Sequence, residues 1–193
     1  MQRGRFGRGG LERGKAFLVW FFQKMMKKKI ILVNEKDIII GYKERGTLNQ
    51  QEIYRISALW ITNSRGEILL AKRHHTKTKH PNKWGPAVAG TVEEGETYEE
   101  NIIKETEEEL GLKEIEINLG PKIKTDNEYH HFTQWYTLKV DKKIDKFKIQ
   151  ENEVEEIKWF SPEELKKQLQ NNPKEFLPEM QKYSELFSPI FSR

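Results

Sequence analysis

The segment between Thr97 and Gly111 constrains the fold most strongly, because both ends of a single helix can be identified in it. Thr97 and Glu100 match a T-x-x-E capping box, in which each side chain accepts a hydrogen bond from the backbone N–H of the other residue. Gly111 suits the left-handed conformation in which helices commonly end. We therefore predict a helix over Thr97–Leu110.

One narrow stripe of this helix is apolar and suited to docking on a sheet. Its members recur every four residues, with one neighbour beside them: Tyr98, Ile102, Thr106, Leu110 and Ile103. Three glutamates lie beside the stripe rather than opposite it, because Glu105, Glu108 and Glu109 fall within about 100° of arc at the helical period. Their carboxylates are therefore expected to converge.

Converging carboxylates repel one another unless a cation lies among them. A divalent ion removes that repulsion, and oxygen ligands suit Mg²⁺ or Mn²⁺, with Mg²⁺ usually sharing its remaining positions between water and substrate phosphates. The alternative is a solvated acidic face. The helix by itself favours that alternative, because glutamate runs such as residues 107–109 are common on protein surfaces.

The composition and the histidine spacing argue against other kinds of metal site. The sequence contains no cysteine, which excludes disulfides, thiolate zinc sites, iron–sulfur clusters and a cysteine nucleophile. The histidines do not show zinc-site spacing with other ligands, so we predict no zinc site from them. They are His74, His75, His80, His130 and His131.

Residues 90–112 resemble the Nudix box, G-x5-E-x7-R-E-U-x-E-E-x-G-U, where U is a bulky apolar residue. The matching residues are Gly90, Glu96, Lys104, Glu105, Glu108, Glu109, Gly111 and Leu112. A spaced pattern of this length seldom arises by chance, so it favours the metal site over the solvated face. Two positions depart from it. Lys104 keeps the charge of the usual arginine without its bidentate fork, and Thr106 replaces a bulky apolar residue.

The resemblance implies hydrolysis of a diphosphate bond in a nucleoside diphosphate-linked or related small molecule. It implies that Glu105, Glu108 and Glu109 bind Mg²⁺ or Mn²⁺ together with the carbonyl oxygen of Gly90, and that one of these glutamates helps to deprotonate the attacking water. In the same way, three residues are expected to support the loop and helix of the box: Glu96, Lys104 and Gly111.

Residues outside the box are expected to complete the site. Lys72 and Arg73, at the start of a basic loop, are candidates to bind the diphosphate. Glu128 is the candidate for a further metal ligand or base, with Glu151 and Glu153 as alternatives. Trp84, at the end of this basic loop, has two interpretations: stacking on a base, or core packing.

The chain from about residue 27 to residue 170 also resembles the Nudix branch that includes isopentenyl-diphosphate isomerase. Those enzymes carry a catalytic cysteine in a segment that ends Cys-Gly-His, and the matching segment here is Ala89-Gly90-Thr91. Isomerisation therefore lacks its central acid–base group. An isomerase-like enzyme is one alternative to hydrolysis, and a non-catalytic module that binds nucleotide or RNA is another.

Short apolar runs separated by turns predict strands on both sides of the helix. They are Ile30–Val33, Ile38–Tyr42, Ile53–Thr62, Glu67–Ala71, Ala87–Val92, Ile115–Leu119, His131–Val140 and Val154–Phe160. Closing helices are predicted over Pro162–Gln170 and Pro173–Phe187. Together with the resemblance, this order predicts one α/β (α+β) domain over residues 27–193, a Nudix-like α/β/α sandwich with a mixed sheet.

Residues 1–26 form a basic leader rich in glycine and arginine, predicted to be disordered, and the chain beyond residue 29 is net acidic. Weak nucleic-acid contact by residues 1–15 is one interpretation of the leader, and an extension upstream of the true start is the other. The apolar run Ala16–Phe22 is too short to span a membrane and lacks a signal cleavage site. We therefore expect a cytoplasmic enzyme without membrane contact, and the resemblance makes a homodimer an open alternative to a monomer.

Overall fold

The computed structural model describes residues 28–126 and 129–188. The strands are β1 (Lys29–Val33), β2 (Ile39–Glu44), β3 (Ile53–Thr62), β4 (Ile68–Arg73), β5 (Trp84–Pro86), β6 (Val88–Thr91), β7 (Asn118–Asp126), β8 (His130–Lys139) and β9 (Val154–Phe160). The helices are α1 (Tyr98–Leu110), α2 (Pro162–Asn171) and α3 (Met180–Phe187), and 3-10 turns occupy Ile144–Lys146 and Pro173–Glu175. The predictions about the leader lie outside the described residues.

The strands form one mixed sheet around β3. Strands β2, β1, β3, β4 and β5 follow one another in that order, while β6 and β8 also pair with β3, and β9 pairs with β4. The β3–β8 pairing is parallel and extends from Tyr54 opposite His131 to Thr62 opposite Lys139. A parallel pair needs a long connection between its strands, and α1 lies in this one.

Helices cover both faces of the sheet. Successive side chains of a strand point to opposite faces, so β3 contributes to two hydrophobic clusters. Leu59 and Ile61 pack with residues of α1, whereas Ala58 and Trp60 pack with residues of α2 and α3. This layering confirms the predicted α/β/α sandwich with a mixed sheet.

Helix α1 has the predicted ends. The Thr97 side chain accepts a hydrogen bond from the Glu100 backbone, the Glu100 side chain accepts one from Thr97, and Gly111 ends the helix at φ 65°. Within the predicted stripe, Thr106 is fully buried and its hydroxyl donates to the Ile102 carbonyl at 2.6 Å. The departure from an apolar residue at this position is therefore accommodated without an unpaired polar group.

The prediction of a strand over Ile115–Leu119 is wrong in its position, because β7 begins only at Asn118 and continues to Asp126. Glycine and proline inside a run usually argue against a strand. Here the register shifts between Leu119 and Lys122, which accommodates the Gly-Pro pair as an irregularity in a strand whose one partner among the described strands is β8.

The single closing helix predicted over Pro173–Phe187 is also wrong, because the segment divides into a 3-10 turn and α3. Between them the chain is extended at Phe176, which is buried, and the Leu177 N–H donates to the Trp84 carbonyl at 2.9 Å. Trp84 itself is 8% exposed and packs edge-on against Phe160, so core packing is the correct interpretation of this residue.

Across the described ranges, no helix combines the length and apolar character that crossing a bilayer requires.

Candidate active site

The centre of the candidate site is the contact between β6 and α1. A Cβ atom at Gly90 would lie 2.7 Å from Cδ of Glu105 and 2.9 Å from Oδ1 of Asn101. Any larger residue would therefore push the Glu105 carboxylate away from the strand. Glycine at this position brings the backbone of β6 into direct contact with the first of the three predicted glutamates.

Polar groups around Glu105 fix its position. Asn101, one turn earlier on α1, is fully buried and accepts a hydrogen bond from the Ser57 hydroxyl at 2.5 Å. Its amide donates to Oε2 of Glu96 at 2.8 Å and reaches Oε1 of Glu105 at 3.5 Å. The buried amide therefore links β3, the loop before α1 and the carboxylate row of the helix.

Lys104 contributes one ammonium group to three carboxylates. Its Nζ lies 2.5 Å from Oε1 of Glu96, 3.2 Å from Oε2 of Glu93 and 3.5 Å from Oε1 of Glu105. Glu96 also accepts a hydrogen bond from the Glu93 backbone N–H at 3.1 Å. Although lysine lacks the fork of arginine, its ammonium lies between the two carboxylates of the loop before α1 and also reaches Glu105.

Glu109 lies at the head of an open cleft between β4, β6 and β9. The residues that line this cleft include Lys72, Arg73, Ala89, Glu109 and Glu153. Burial, followed by the charges of Glu105 and Glu153, raises the pKa of Glu109 to about 8, although Lys77 and Arg73 oppose the shift. The cleft therefore combines one carboxylate that resists ionisation, that of Glu109, with basic residues beside it.

The charge imbalance extends along α1. Burial raises the pKa of Glu105, and the charge of Glu108 adds to the shift against the opposing charge of Lys104. Glu108 is exposed on the same side of the helix. The structure thus brings the three predicted glutamates to one side of α1, two of them partly buried.

The predicted substrate-binding residues lie at the end of β4. Arg73 lines the cleft, and its Nε donates to the Lys79 carbonyl at 3.0 Å, which anchors the start of the basic loop. The Lys72 ammonium lies 5.9 Å from the centre of the Trp84 ring, and Lys72 also lines the cleft. Of the two, Arg73 acts through its charge on Glu109, the carboxylate at the head of the cleft.

The candidate ligands outside the box divide into three cases. Glu128 lies outside the described residues, so its prediction has no structural test here. Glu151 is exposed. Glu153 lines the cleft with Glu109 and forms an ion pair with Lys77.

Sequence reasoning missed three supporting residues: Ser57, Glu93 and Asn101. One of them had a readable signal, because Asn101 stands four residues before Glu105 and eight before Glu109, on the same row of the helix. The other two depend on how β3 and the loop before α1 approach the helix, which no local spacing indicates.

The chemical types of donor at this site suit a divalent cation, although within the described residues the three carboxylates are not gathered within 4.8 Å of one another. Three carboxylates lie on one side of α1, the backbone of β6 meets Glu105 without an intervening side chain, and burial disfavours the ionised form of two of the carboxylates. Oxygen ligands of this kind suit a hard cation, whose charge offsets both the burial and the mutual repulsion.

Comparisons with known proteins point to one family. The family model described as "NUDIX domain" matches residues 53–180 of this chain. An uncharacterized Nudix hydrolase of Nostoc is 30% identical over 139 residues, which cover 69% of this chain and 80% of that protein. The isopentenyl-diphosphate Delta-isomerase of Salmonella heidelberg is 29% identical over 96 residues, covering 46% of this chain and 50% of that enzyme.

The fold has a solved counterpart. The crystal structure of the protein DR0079 from Deinococcus radiodurans superposes with a TM-score of 0.72 at 23% identity, covering 81% of this chain and 97% of that one. At this identity the likeness concerns the fold alone.

Proposed function

The chain belongs to the Nudix hydrolase family, and from that membership we propose that it cleaves the diphosphate bond of a nucleoside diphosphate-linked or related small molecule with Mg²⁺ or Mn²⁺. The family generally acts on diphosphate-containing small molecules with divalent metals. The predicted family and enzyme class are thereby confirmed, while the metal and the site residues belong to the proposal.

The observation that carries the proposal is the close contact between Gly90 and Glu105, with Glu109 on the same side of α1 at the head of a cleft that Lys72 and Arg73 also line. A solvated acidic face would expose its carboxylates to water. Here Glu105 and Glu109 are partly buried, and Glu105 lies against a backbone position that only glycine fits. Burying carboxylates together is unfavourable without a compensating cation.

In the proposed site, Glu105, Glu108 and Glu109 would hold the metal together with the Gly90 carbonyl oxygen. The bound ion would neutralise charge on the phosphate oxygens and lower the pKa of a coordinated water. One of the three glutamates accepts the proton of the attacking water. The protein therefore positions the reactants, and no nucleophile of its own is required.

Supporting residues keep these carboxylates in place. Lys104 and Asn101 contact both Glu105 and Glu96, which keeps the loop before α1 close to the helix. Arg73 and Lys72 meet the substrate phosphates from the opposite wall of the cleft, where their charges offset those of the diphosphate.

The isomerase alternative has a match over half of one such enzyme, yet its chemistry needs a thiol. The position where those enzymes carry it by resemblance is Ala89, which lines the cleft near Glu109. A methyl group at this position can neither donate nor accept a proton. Hydrolysis requires no group there.

The direct test is an activity panel on the purified full chain. We would incubate it with Mg²⁺ or Mn²⁺ and nucleoside diphosphates, nucleoside triphosphates, ADP-ribose, NADH, coenzyme A or isopentenyl diphosphate. Phosphate or pyrophosphate release measures cleavage of the terminal diphosphates and triphosphates, and chromatography of the two phosphomonoester products measures cleavage of ADP-ribose, NADH and coenzyme A. We expect metal-dependent turnover of at least one diphosphate. Glu108→Gln should lower kcat by about 10²–10³-fold, because it removes a charge that acts on the transition state.

The matched control is Glu107→Gln on the same helix. Glu107 is half exposed and pairs with Lys113 at 2.7 Å, away from the cleft residues. Its substitution should leave kcat unchanged. Binding of nucleotide without turnover would support the non-catalytic module instead, and migration of the double bond in isopentenyl diphosphate would support the isomerase.

A further inference from the structure

A second group of metal-ligating atoms lies where β4 ends and β9 begins. Nδ1 of His75 is 2.9 Å from Oε2 of Glu155, and Nε2 of His74 is 3.6 Å from the same oxygen. The two imidazole rings lie side by side with centroids 4.0 Å apart. One ligand atom from each of the three residues lies within 4.8 Å of the other two.

These separations are close to those of a single tetrahedral ion. Zinc binds histidine nitrogen and carboxylate oxygen at about 2.0–2.2 Å, which places neighbouring ligands roughly 3.3 Å apart in a tetrahedron. The two contacts to Glu155 lie on either side of that value. Small rotations of the His75 and Glu155 side chains, which are exposed, would bring the three atoms onto one ion.

The surroundings of His74 favour a ligand over a freely rotating side chain. Its Nδ1 lies 2.8 Å from the Thr76 hydroxyl, and its backbone N–H donates to the Glu153 carbonyl at 3.0 Å. The Thr76 backbone N–H also lies 3.3 Å from Nδ1, which accepts it in the free protein. A metal at Nε2 would require the ring proton on Nδ1, where the Thr76 hydroxyl can accept it. Metal-bound histidines are commonly oriented by such a hydrogen bond on the second nitrogen.

We propose that His74, His75 and Glu155 form a second metal site, distinct from the carboxylates of α1, that binds Zn²⁺ or a similar transition-metal ion. Two imidazoles and one carboxylate suit such an ion, whereas Mg²⁺ prefers oxygen ligands alone. Three protein ligands leave one position for water. Histidine spacing gave no sign of this site because the third ligand lies on a different strand.

An ion at this site would fasten the basic loop to the sheet. The loop after β4 begins with the two histidines and contains Lys77, which pairs with Glu153 of the cleft. Glu155 belongs to β9, so the metal would connect the loop and the strand through side chains. The loop would then be held beside the cleft instead of moving independently.

The competing explanation is an ordinary ion pair between His75 and Glu155. Both side chains are substantially exposed, at 59% and 41%, and exposed pairs contribute little to stability. An ion pair needs no metal. The two explanations therefore differ in what the protein takes up from solution.

The test is zinc titration of the metal-stripped full chain by calorimetry, with MgCl₂ present in excess so that the carboxylates of α1 are occupied. We expect uptake of one zinc ion for each chain. Glu155→Gln and His75→Ala should each weaken binding at least about tenfold, because each removes a ligand. Cobalt in place of zinc should give the visible bands of a tetrahedral ion in the wild type and lose them in both variants.

Matched controls separate this site from others. Glu156→Gln changes the adjacent carboxylate of the same strand, and His80→Asn changes a histidine of the same loop while tolerating its positive φ of 50°. Both should bind zinc as the wild type does. Zinc should also protect the loop from tryptic cleavage at Lys77, since the loop would be fastened to β9.

Two results would overturn the proposal. One is zinc affinity that is unchanged in Glu155→Gln and His75→Ala, or absent from the wild type. The other is loss of the zinc in a chain carrying Glu105→Gln, Glu108→Gln and Glu109→Gln, which would place the ion on α1. Neither result depends on whether a diphosphate is hydrolysed.

Discussion

The carboxylates near the two ends of α1 differ in whether neighbouring cations balance their charge. At the first turn, one carboxylate, that of Asp37, has three partners: Arg55 at 2.7 Å, Lys122 at 2.6 Å and the Tyr98 hydroxyl at 3.1 Å. Burial alone would raise the pKa of Asp37, but the hydrogen bonds and charges of Lys122 and Arg55 outweigh it and hold the pKa below its usual value.

Further along the same helix, carboxylates outnumber their cations. Burial and the charges of Glu105 and Glu153 raise the pKa of Glu109, and only Lys77 and Arg73 oppose them. The Asp37 cluster is thus complete within the chain and serves to join α1 to the sheet. The negative charge of the glutamate cluster is balanced only when a cation binds from solution, which is the property expected of a metal site.

The largest expected effect is a loss of activity when the glutamate cluster, rather than the Asp37 cluster, is disturbed. Gly90→Ala places a Cβ atom 2.7 Å from Cδ of Glu105, so the carboxylate must move away from β6. Misplacement of about 1 Å can cost about 10²-fold in rate, so we expect kcat/KM to fall by about that factor. The thermal unfolding midpoint should also fall, by a smaller effect, because the added atom crowds the buried Asn101.

Gly41→Ala is the control for this change, because a Cβ atom at position 41 would meet no atom within 4 Å. It should leave the rate unchanged. A Gly90→Ala enzyme with full activity would show that the contact with Glu105 does not position a catalytic group.

The next effect separates the clusters by stability. Asp37→Asn removes the charge that balances Arg55 and Lys122, so we expect the free energy of unfolding to fall by about 2 kcal/mol, less than for a fully buried pair. Chemical denaturation measures this loss. Metal binding at α1 should remain intact.

Asp145→Asn serves as its control, since Asp145 is 66% exposed and pairs only loosely with Lys146 at 3.4 Å. Its substitution should change stability by less than about 0.5 kcal/mol. If Asp37→Asn were equally mild, the first-turn cluster would not be the anchor that its geometry indicates.

A smaller effect concerns pH, for which the clusters have opposite signs. The folded pKa of Glu109, about 8, lies above its ordinary value of 4.5, so its contribution to stability is present below 4.5 and is lost as the pH rises through 8. The folded pKa of Asp37 lies below 3.8, so its contribution is present above that value and is lost as the pH falls.

Unfolding midpoints of the metal-stripped protein between pH 5 and 9 measure the first of these contributions. We expect the midpoint to decline across this range more steeply in the wild type than in Glu109→Gln. Excess Mg²⁺ should reduce the decline, because it binds the ionised carboxylates. Identical profiles for the two proteins would argue against a crowded carboxylate at position 109.

The smallest effect concerns Lys104, whose ammonium already reaches Glu96, Glu93 and Glu105. Lys104→Arg restores the residue usual in the box, and we expect kcat/KM to change by less than about threefold, since the charge is already in place. Steady-state kinetics would decide. A tenfold gain would show that the bidentate fork orients Glu105 better than a single ammonium does.

Local features of the sequence predicted α1 well because they act within one or two turns. The capping box, the glycine end and the four-residue row are all set by the helical period, so Thr97, Glu105, Glu109 and Gly111 could be placed before any tertiary contact was known. The spaced box then identified the family, which the comparisons confirm.

Strand position was less predictable where pairing overrides residue preference. The Gly-Pro pair at residues 120–121 is unfavourable in a strand, yet pairing with β8 extends β7 through it. In the same way, the extended chain at Phe176 interrupts a run that resembled one helix, because this residue and Trp84 complete the core beside Phe160.

The sequence by itself determined the helix, its carboxylate row and the family. Only the tertiary structure placed Glu153 in the cleft, joined Ser57 to Asn101, and brought Glu155 to the two histidines. The physical reason is range. A helical period fixes neighbours three and four residues apart, whereas these contacts depend on which strands pair and in what register, and those are settled by packing of the whole sheet.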